Sequence, residues 1–183
     1  MEITVNQVQI RLNPILIQYV IADAIVNDTD SSLTLPDWMI EDGGESLVQA
    51  AHMLGWCDIG NAVITPAGNL NASYVIHAVG PKWGDDSARG KLANATWNTL
   101  RVADDNTVLR LAIPPIATGA NGYPVENCAK IMLREIVDFT YELPSYLRHI
   151  LICTQTDEET AAFTLQMKHF LANQNTEGDA SVG

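Results

Sequence analysis

Short apolar segments alternate along this chain with longer segments of helical periodicity, and this alternation constrains the fold more than any other feature. The apolar runs at 74–79, 109–113 and 149–153 have the length of buried strands. In 86–103 and 124–142, apolar residues recur at helical spacing. Strands separated by helices of this length predict crossover connections and a largely parallel sheet.

The rest of the chain adds shorter elements to this pattern. Alternating apolar and polar residues predict a half-buried strand over Ile3–Leu12. Further predicted elements are a short strand or turn at 15–21, strands at 24–26 and 62–65, and helices at 45–54 and 157–171. We expect one α/β domain over residues 1–172 and a flexible C-terminal tail over 173–183, where the residues are small and polar.

The composition is that of a single globular domain. Of the 183 residues, 47% are hydrophobic and 17% charged, and no apolar run is long enough to span a membrane. The N-terminus lacks the pattern of a secretory signal. Cys57, Cys128 and Cys153 are widely spaced and form no metal-binding pair, so we expect reduced thiols in a cytoplasmic protein.

The net charge of −12 disfavours nucleic acid as the main partner, because phosphate backbones attract basic surfaces. Only ten lysines and arginines are present, and they do not cluster. We interpret the acidic surface as a source of solubility. A phosphate-bearing small molecule is still compatible with this charge, because neutral backbone N–H groups can bind a phosphate locally.

A loop of small residues follows the predicted strand at 109–113. Residues 118–122 read Thr-Gly-Ala-Asn-Gly, so a ligand could approach the backbone closely. Pro124 fits the first position of a helix and Glu126 its first turn. A helix N-terminus behind such a loop favours a phosphate ligand. An ordinary strand-to-helix connection is the alternative interpretation.

Together with two further segments, this loop resembles the macrodomain family. The segments are Ala22–Leu33, Gly60–Pro81 and Ala117–Pro124, and their order and spacing agree with the family over nearly the whole chain. The last helix is most similar to that of the macro-type histone variant. The resemblance implies a three-layer α/β/α fold, with a mixed, largely parallel central sheet of about six strands, that binds ADP-ribose or related nucleotides. Some members of the family also hydrolyse ADP-ribose from proteins or small esters.

The resemblance also implies a set of ligand-binding positions. Leu16 stands where the family has an aspartate that binds the adenine amino group, and a leucine cannot make that hydrogen bond. Asp30 stands where the family has an asparagine that contacts the distal ribose. The full set implied for this chain is Leu16, Ile17, Asn27, Asp30, Ser31, Ala117, Thr118, Gly119, Ala120, Asn121, Gly122 and Tyr123.

The glycine run with which the family wraps the phosphates is absent here. Between Leu33 and Ile40 the chain has Pro36, which lacks an N–H group, and the bulky Trp38, so we do not expect the same wrap. Trp38 either fills the space that the shortened loop vacates or covers the ligand, and filling is favoured. The aromatic residue that often stacks on adenine is also absent, with Gln155 nearby.

Catalytic groups are sparse in this sequence. Asp30 is the one acid at a position that matches a hydrolytic base, whereas other loop acids, Asp28 among them, are typical of solvated surface. His77 lies in an apolar strand and is typical of a core histidine. No histidine has metal-ligand spacing, and Cys128 has no histidine partner for nucleophilic catalysis, so we expect no metal and no cofactor.

The sequence therefore favours a binding module, a reader or sensor, for ADP-ribose or a related phosphate-bearing nucleotide. One alternative is an ADP-ribosyl hydrolase with Asp30 as its base. The other is a degenerate macrodomain that acts as a protein-interaction module. The expected partner is a small-molecule nucleotide, with neither nucleic acid nor membrane involved.

Overall fold

The structure, a computed structural model, describes the backbone of residues 1–180 and the side chains of residues 1–174. Seven strands and four helices alternate along this part of the chain, with one turn of 3-10 helix at Ile17–Tyr19. The elements are β1 (Glu2–Val5), β2 (Val8–Asn13), β3 (Ala24–Thr29), α1 (Asp37–Leu54), β4 (Ala62–Pro66), β5 (Tyr74–Val79), α2 (Ala88–Asp105), β6 (Arg110–Ile113), α3 (Val125–Thr140), β7 (His149–Cys153) and α4 (Asp157–Ala180).

All seven strands form one sheet in the order β1-β2-β7-β6-β3-β5-β4. The five central strands are parallel, and the edge strands β1 and β4 pair antiparallel with β2 and β5. The predicted mixed, largely parallel sheet is confirmed. It has seven strands because the alternating segment Ile3–Leu12 turns back at Asn6, which adopts a left-handed φ of 54°. The Asn6 side chain anchors this turn by donating to Thr140 Oγ1 at 3.1 Å.

Helices cover both faces of the sheet, which confirms the three-layer α/β/α architecture. Strand residues point alternately to the two faces, so each strand contributes to two cores. The face covered by α2, α3 and α4 holds the larger core, which includes Ile76, Ile113 and Phe163. The face covered by α1, which we call the α1 face, holds a smaller core around Ile25 and Leu47.

Two helices are longer than the sequence predicts. Helix α1 begins at Asp37 rather than at residue 45. Gly44 (φ 74°, ψ −175°) kinks the helix, so the apolar periodicity is interrupted there and does not predict the first half. Helix α4 extends beyond residue 171 to Ala180. The predicted tail 173–183 therefore begins within a helix, and residues 181–183 lie outside the described part. Of the helices described, none has the length and apolar character needed to cross a bilayer.

Strands β3 and β6 pair side by side in the centre of the sheet. Because they are parallel, the segments that follow them leave the sheet at the same edge. The segment after β3 leads into α1, on one face. The segment after β6 leads into α3, on the other face. The carboxyl ends of β3 and β6, between these two segments, are therefore open to a ligand.

Candidate functional site

Two adjoining cavities lie at the carboxyl ends of β3 and β6. The larger has a volume of about 510 Å³ and is bounded on one side by Lys82. The smaller has a volume of about 230 Å³ and extends to Ile17. Asn27, Asp28 and Pro36 line both cavities. They therefore form one elongated cleft with two compartments, and an elongated ligand suits it better than a compact one.

The loop between β6 and α3 supplies part of the wall of both compartments. Ala117 and Gly122 adopt left-handed φ angles of 67° and 65°, which curl the loop. The N–H groups of Gly122 and Tyr123 donate back to the carbonyls of Gly119 and Ala117, both at 2.9 Å. The N–H groups of residues 118–121 make no hydrogen bond with any described residue. Four consecutive free donors ahead of a helix are suited to an anion.

The connection from β5 to α2 supports this loop from behind. Gly80 packs so tightly against it that a Cβ there would come within 2.8 Å of the Ala117 side chain. The Asn121 amide donates to the Gly80 carbonyl at 3.2 Å, and the Trp83 N–H donates to the Asn121 carbonyl at 2.9 Å. The Trp83 ring meets Tyr123 edge-to-face, with centroids 5.2 Å apart. The loop is therefore fixed before any ligand arrives.

Asp28 lies beneath the loop and is the least satisfied polar side chain of the site. Its Oδ2 accepts the Ala117 N–H at 3.0 Å, whereas its buried Oδ1 has no hydrogen-bond partner among the described residues. Burial raises the pKa of the Asp28 carboxyl to about 7, because the charged form loses its hydration, and the Ala117 N–H opposes this rise. The sequence interpretation of Asp28 as a solvated loop acid does not fit this position.

Asn27 faces the opposite way, and its amide group is fixed within the fold. Its Nδ2 donates to the Thr34 carbonyl at 3.1 Å and to His77 Nδ1 at 3.2 Å. Nδ1 is therefore the acceptor of the His77 ring, and Nε2–H donates to Thr65 Oγ1 at 3.0 Å. Burial lowers the pKa of His77 to about 4, so the ring is neutral at neutral pH. His77 is thus a partnered core histidine, as the sequence indicates.

Asp30 lines the larger compartment, but its carboxylate holds the turn that follows β3. Oδ1 accepts the N–H and the hydroxyl of Ser32 at 2.9 and 2.7 Å, and Oδ2 accepts the Thr34 hydroxyl at 2.8 Å. The hydrogen bond from the Ser32 hydroxyl contributes most to lowering the pKa of Asp30. A carboxylate stabilised in this way is a poor proton acceptor. Ser31 lines neither compartment, and its carbonyl accepts the Cys57 N–H at 2.9 Å.

The far end of the smaller compartment is formed by residues near Ile17. Ile17 is buried and lines this compartment, whereas Leu16, which precedes the 3-10 turn, is 42% exposed and does not. Gln155 and Glu159 line the compartment at the start of α4. The sequence singled out Gln155 but missed Glu159. Polar residues therefore line this compartment where the family resemblance implies an aromatic ring.

Glu159 connects α4 to the loop after β6. Its Oε2 accepts the Gln155 N–H at 2.7 Å, and its own N–H donates to the Thr156 hydroxyl at 3.1 Å. Its Oε1 accepts the Thr118 hydroxyl at 3.3 Å. The pattern Thr156-x-x-Glu159 is a capping box, a signal in the sequence that could have located this side chain at the cleft.

Lys82 is the single lysine or arginine among the residues that line the cleft. Among the described residues, no group of three or more histidine, cysteine or acidic side chains is arranged to hold a metal. Cys128 is fully buried and donates to the Ile116 carbonyl at 3.2 Å. Burial raises the pKa of its thiol well above the ordinary value, which leaves it inert as a nucleophile.

A separate groove of about 460 Å³ lies at the other end of the strands, near Asp23 and Arg110. There Asp23 Oδ2 already accepts the N–H groups of Leu109 at 3.0 Å and Arg110 at 2.8 Å. This acid is engaged in joining β3 to β6. Unlike the cleft, the groove has no buried side-chain polar atom that lacks a hydrogen-bond partner among the described residues.

Comparison with known proteins decides the family. A family model described as "Macro domain" matches residues 39–132. The chain is 42% identical to a macro domain-containing protein of Caldanaerobacter subterraneus over 127 residues, which cover 64% of this chain and 73% of that protein. The chain belongs to the macrodomain family.

Two further comparisons describe this macrodomain's relatives. An O-acetyl-ADP-ribose deacetylase of Klebsiella pneumoniae is 43% identical over 116 residues; the match covers 62% of this chain and spans 65% of that protein's length. The solved structure of the Oceanobacillus iheyensis macrodomain with ADP has a TM-score of 0.86 at 22% identity and covers 94% of this chain and 97% of its own. The second comparison shows that the fold is shared over almost the whole chain.

The segment that stands in place of a glycine run gives this macrodomain a different wall. Pro36 directly precedes α1, so the segment enters a helix where a glycine-rich loop could have wrapped a ligand. Trp38 packs against the core of the α1 face and also lines the smaller compartment. It therefore fills space, as the sequence favours, and contributes to the surface of the cleft as well.

Proposed function

We propose that this macrodomain binds ADP-ribose, or a closely related nucleotide diphosphate, in the cleft and acts as a reader or sensor. The observation that carries the proposal is the set of four free N–H groups at residues 118–121, held on a loop that is already fixed. Each lacks a partner among the described residues and can donate to a bound anion, which favours a phosphate over a neutral group.

The two compartments support a ligand with a diphosphate at its centre. Thr118 and Gly119 line the smaller compartment, and Ala120 and Asn121 line the larger one. A diphosphate held along this loop would direct its nucleoside toward Ile17 and its second sugar toward Lys82. The name of the deacetylase relative, which refers to ADP-ribose, supports the same class of ligand.

Binding without turnover is favoured by the state of the three acids that line the cleft. Asp28 could act as a base only when ionised, and an ionised carboxylate there would repel the diphosphate of the ligand. The carboxylate of Asp30, the base that the sequence suggested, is occupied by Ser32 and Thr34. The Glu159 carboxylate is occupied by the start of α4 and by Thr118. Neither is free to activate a water molecule. We therefore expect tight capture of the ligand and slow or absent hydrolysis.

A substitution at Gly119 tests the proposal. A Cβ at Gly119 would meet no atom within 4 Å, so a leucine there should occupy the cleft without disturbing the fold. Isothermal titration calorimetry with ADP-ribose should give micromolar affinity for the wild type. Gly119→Leu should weaken binding at least tenfold, which is about 1.4 kcal/mol.

Gly90 provides the matched control. It lies in α2, and a Cβ there would also meet no atom within 4 Å. Gly90→Leu adds the same side chain outside the cleft and should leave the affinity for ADP-ribose unchanged. Equal affinities for the Gly119 and Gly90 variants would reject the cleft as the site. Absence of ADP-ribose binding by the wild type would reject the function and favour an interaction module.

Hydrolysis of an ADP-ribose ester is the second candidate, favoured by the name of the deacetylase relative. Its test is to incubate the wild type with O-acetyl-ADP-ribose and to follow release of ADP-ribose by chromatography. Absence of release above the uncatalysed rate rejects this candidate.

A cytoplasmic location is also proposed, since the three buried cysteines are all free thiols, which suits a reducing compartment.

A further inference from the structure

Asp28 does not fit a site that only has to attract an anion. Asp28 lines both compartments. Its Oδ2 accepts the N–H of Ala117, the residue directly before the free N–H groups that would hold a diphosphate. An ionised carboxylate in this position repels a diphosphate, and burial strengthens that repulsion because little water screens it. A neutral carboxyl has no such effect and offers an additional O–H donor.

The hydrogen bonds of Asp28 are those of a group that does not need its charge for the fold. An ionised buried carboxylate normally accepts hydrogen bonds at both oxygens. Asp28 has one, from the Ala117 N–H, and its buried Oδ1 has none among the described residues. No arginine or lysine forms an ion pair with it in the part of the chain that the structure describes. The fold therefore leaves the charge on Asp28 uncompensated.

We propose that the cleft binds a diphosphate and a proton together: the ligand enters when Asp28 is neutral and is released when Asp28 ionises. This inference rests on the proposed function and goes beyond it, because it makes occupancy of the site depend on pH. A neutral Asp28 is the binding-competent state. The apparent affinity therefore scales with the fraction of molecules that carry the proton.

Other titratable groups surround Asp28 and define what the test has to separate. Asp30, Lys82 and Glu159 line the same cleft from three different segments. Cys128 packs from α3, with burial raising the pKa of its thiol, and His77 lies on the opposite face of the sheet, with burial lowering its pKa to about 4. Tyr123 lies at the end of the loop, and burial raises the pKa of its phenol.

The expected size of the effect follows from the titration of Asp28. With a pKa of about 7, most molecules carry the proton at pH 6 and about one in eleven does at pH 8. The apparent Kd for ADP-ribose should therefore rise about tenfold between these two pH values. ADP-ribose is the appropriate probe because it has no terminal phosphate, so its own charge stays constant over this range.

The experiment is calorimetry with ADP-ribose at pH 6, 7 and 8 on the wild type, Asp28→Asn and Asp37→Asn. Asn is a neutral replacement of the same shape, so Asp28→Asn should bind with nearly equal affinity at all three pH values. Asp37 is exposed in the first turn of α1 and does not line the cleft, so Asp37→Asn removes one nearby charge and should keep the tenfold change. Thermal unfolding checks that each variant is folded, and Asp28→Ser replaces Asp28→Asn if the latter is not.

Repeating the titration at pH 7 in buffers of different ionisation enthalpy measures the protons taken up directly. About half a proton should be taken up per ADP-ribose bound by the wild type, and none should be attributable to this position in Asp28→Asn. An affinity of the wild type that does not change with pH overturns the inference and leaves the proposed function intact. An Asp28→Asn variant that retains the tenfold change overturns it as well. Absence of binding by every variant at every pH overturns the proposed function, and this inference with it.

Discussion

Asn27 and Asp28 are neighbours on β3, and the fold treats them in opposite ways. On the α1 face, the Asn27 amide is connected through the His77 ring to the Thr65 hydroxyl, and each of these three side chains has a hydrogen-bond partner. On the other face, Asp28 keeps one buried oxygen without a partner. A satisfied buried network holds a structure together, whereas an unsatisfied group at a cleft marks a place where a ligand is expected.

The largest effect that we expect concerns Asp28, which has the unpartnered buried oxygen. Between the unfolded pKa of 3.8 and the native value of about 7, the native protein binds more protons at Asp28 than the unfolded chain does. The wild type therefore loses stability at this position as the pH rises, by about 1.4 kcal/mol per pH unit. The stability advantage of Asp28→Asn over the wild type should grow by about 4 kcal/mol between pH 4 and pH 8.5, measured by urea unfolding.

The same urea unfolding measurements on the wild type and Asp28→Asn also test the lowered pKa of His77, without a further variant. His77 has an unfolded pKa of 6.5 and a native pKa of about 4, so its contribution to stability is present above pH 6.5 and is lost as the pH falls through 4. Asp28 acts in the opposite sense over that range. Asp28→Asn should therefore be more sensitive to acid than the wild type. Parallel stability curves for the two proteins would contradict the raised pKa of Asp28, and an Asp28→Asn curve that stays flat between pH 6.5 and pH 4 would contradict the lowered pKa of His77.

Breaking the satisfied network should cost about 3 kcal/mol in the free energy of unfolding. His77→Ala leaves a cavity in a fully buried position and removes one of the two partners of the Asn27 amide together with the partner of the Thr65 hydroxyl. Urea denaturation at pH 7 measures the loss. Thr65→Val is the matched control, because it removes a single hydroxyl at nearly constant volume and should cost less. A His77→Ala loss below that of Thr65→Val would show that the network is not what stabilises this face.

Asp30 should give a smaller effect, of about 1 kcal/mol, because its hydrogen bonds are made at an exposed turn. Asp30→Ala frees the Ser32 and Thr34 hydroxyls and loosens the segment that leads to Pro36. The same urea titration gives the size of the loss. The tenfold dependence of ADP-ribose affinity on pH should persist in this variant, which would separate the structural role of Asp30 from the role of Asp28.

Lys82 should give the smallest effect, because it is exposed and its charge is screened by water and salt. Lys82→Ala should weaken ADP-ribose binding about threefold at low ionic strength, with the difference shrinking as salt is added. Calorimetry at two salt concentrations measures this. A loss that does not change with salt would instead indicate a buried, direct contact between Lys82 and the ligand.

The sequence could predict the fold where the pattern is regular. The strand 74–79 and the strand 149–153 are continuous apolar runs, and both form at the predicted residues. The pattern gave wrong element boundaries where the chain changes direction at a single residue. The alternation of Ile3–Leu12 continues through the turn at Asn6, and the periodicity of α1 is interrupted at Gly44, so neither the hairpin nor the full helix could be read from periodicity.

The site divides in the same way between local and long-range signals. The loop at 118–121 carries its signal in its own residues, and Glu159 carries a local one in its capping box. Asp28 has no local signal beyond its alternation with the buried Val26. Its position depends on Ala117, which is 89 residues away in the sequence. No spacing rule contains that contact, because it is created when β3 and β6 pair.

The hydrogen bond between Ala117 and Asp28 also has a spectroscopic consequence. An N–H that donates to a carboxylate is polarised more strongly than one that donates to a neutral acid. The Ala117 amide proton therefore reports the charge on the carboxyl behind it, and its NMR resonance should move with pH along the titration curve of Asp28. The backbone of this protein thus contains its own pH indicator, which can be read without any label in the cleft.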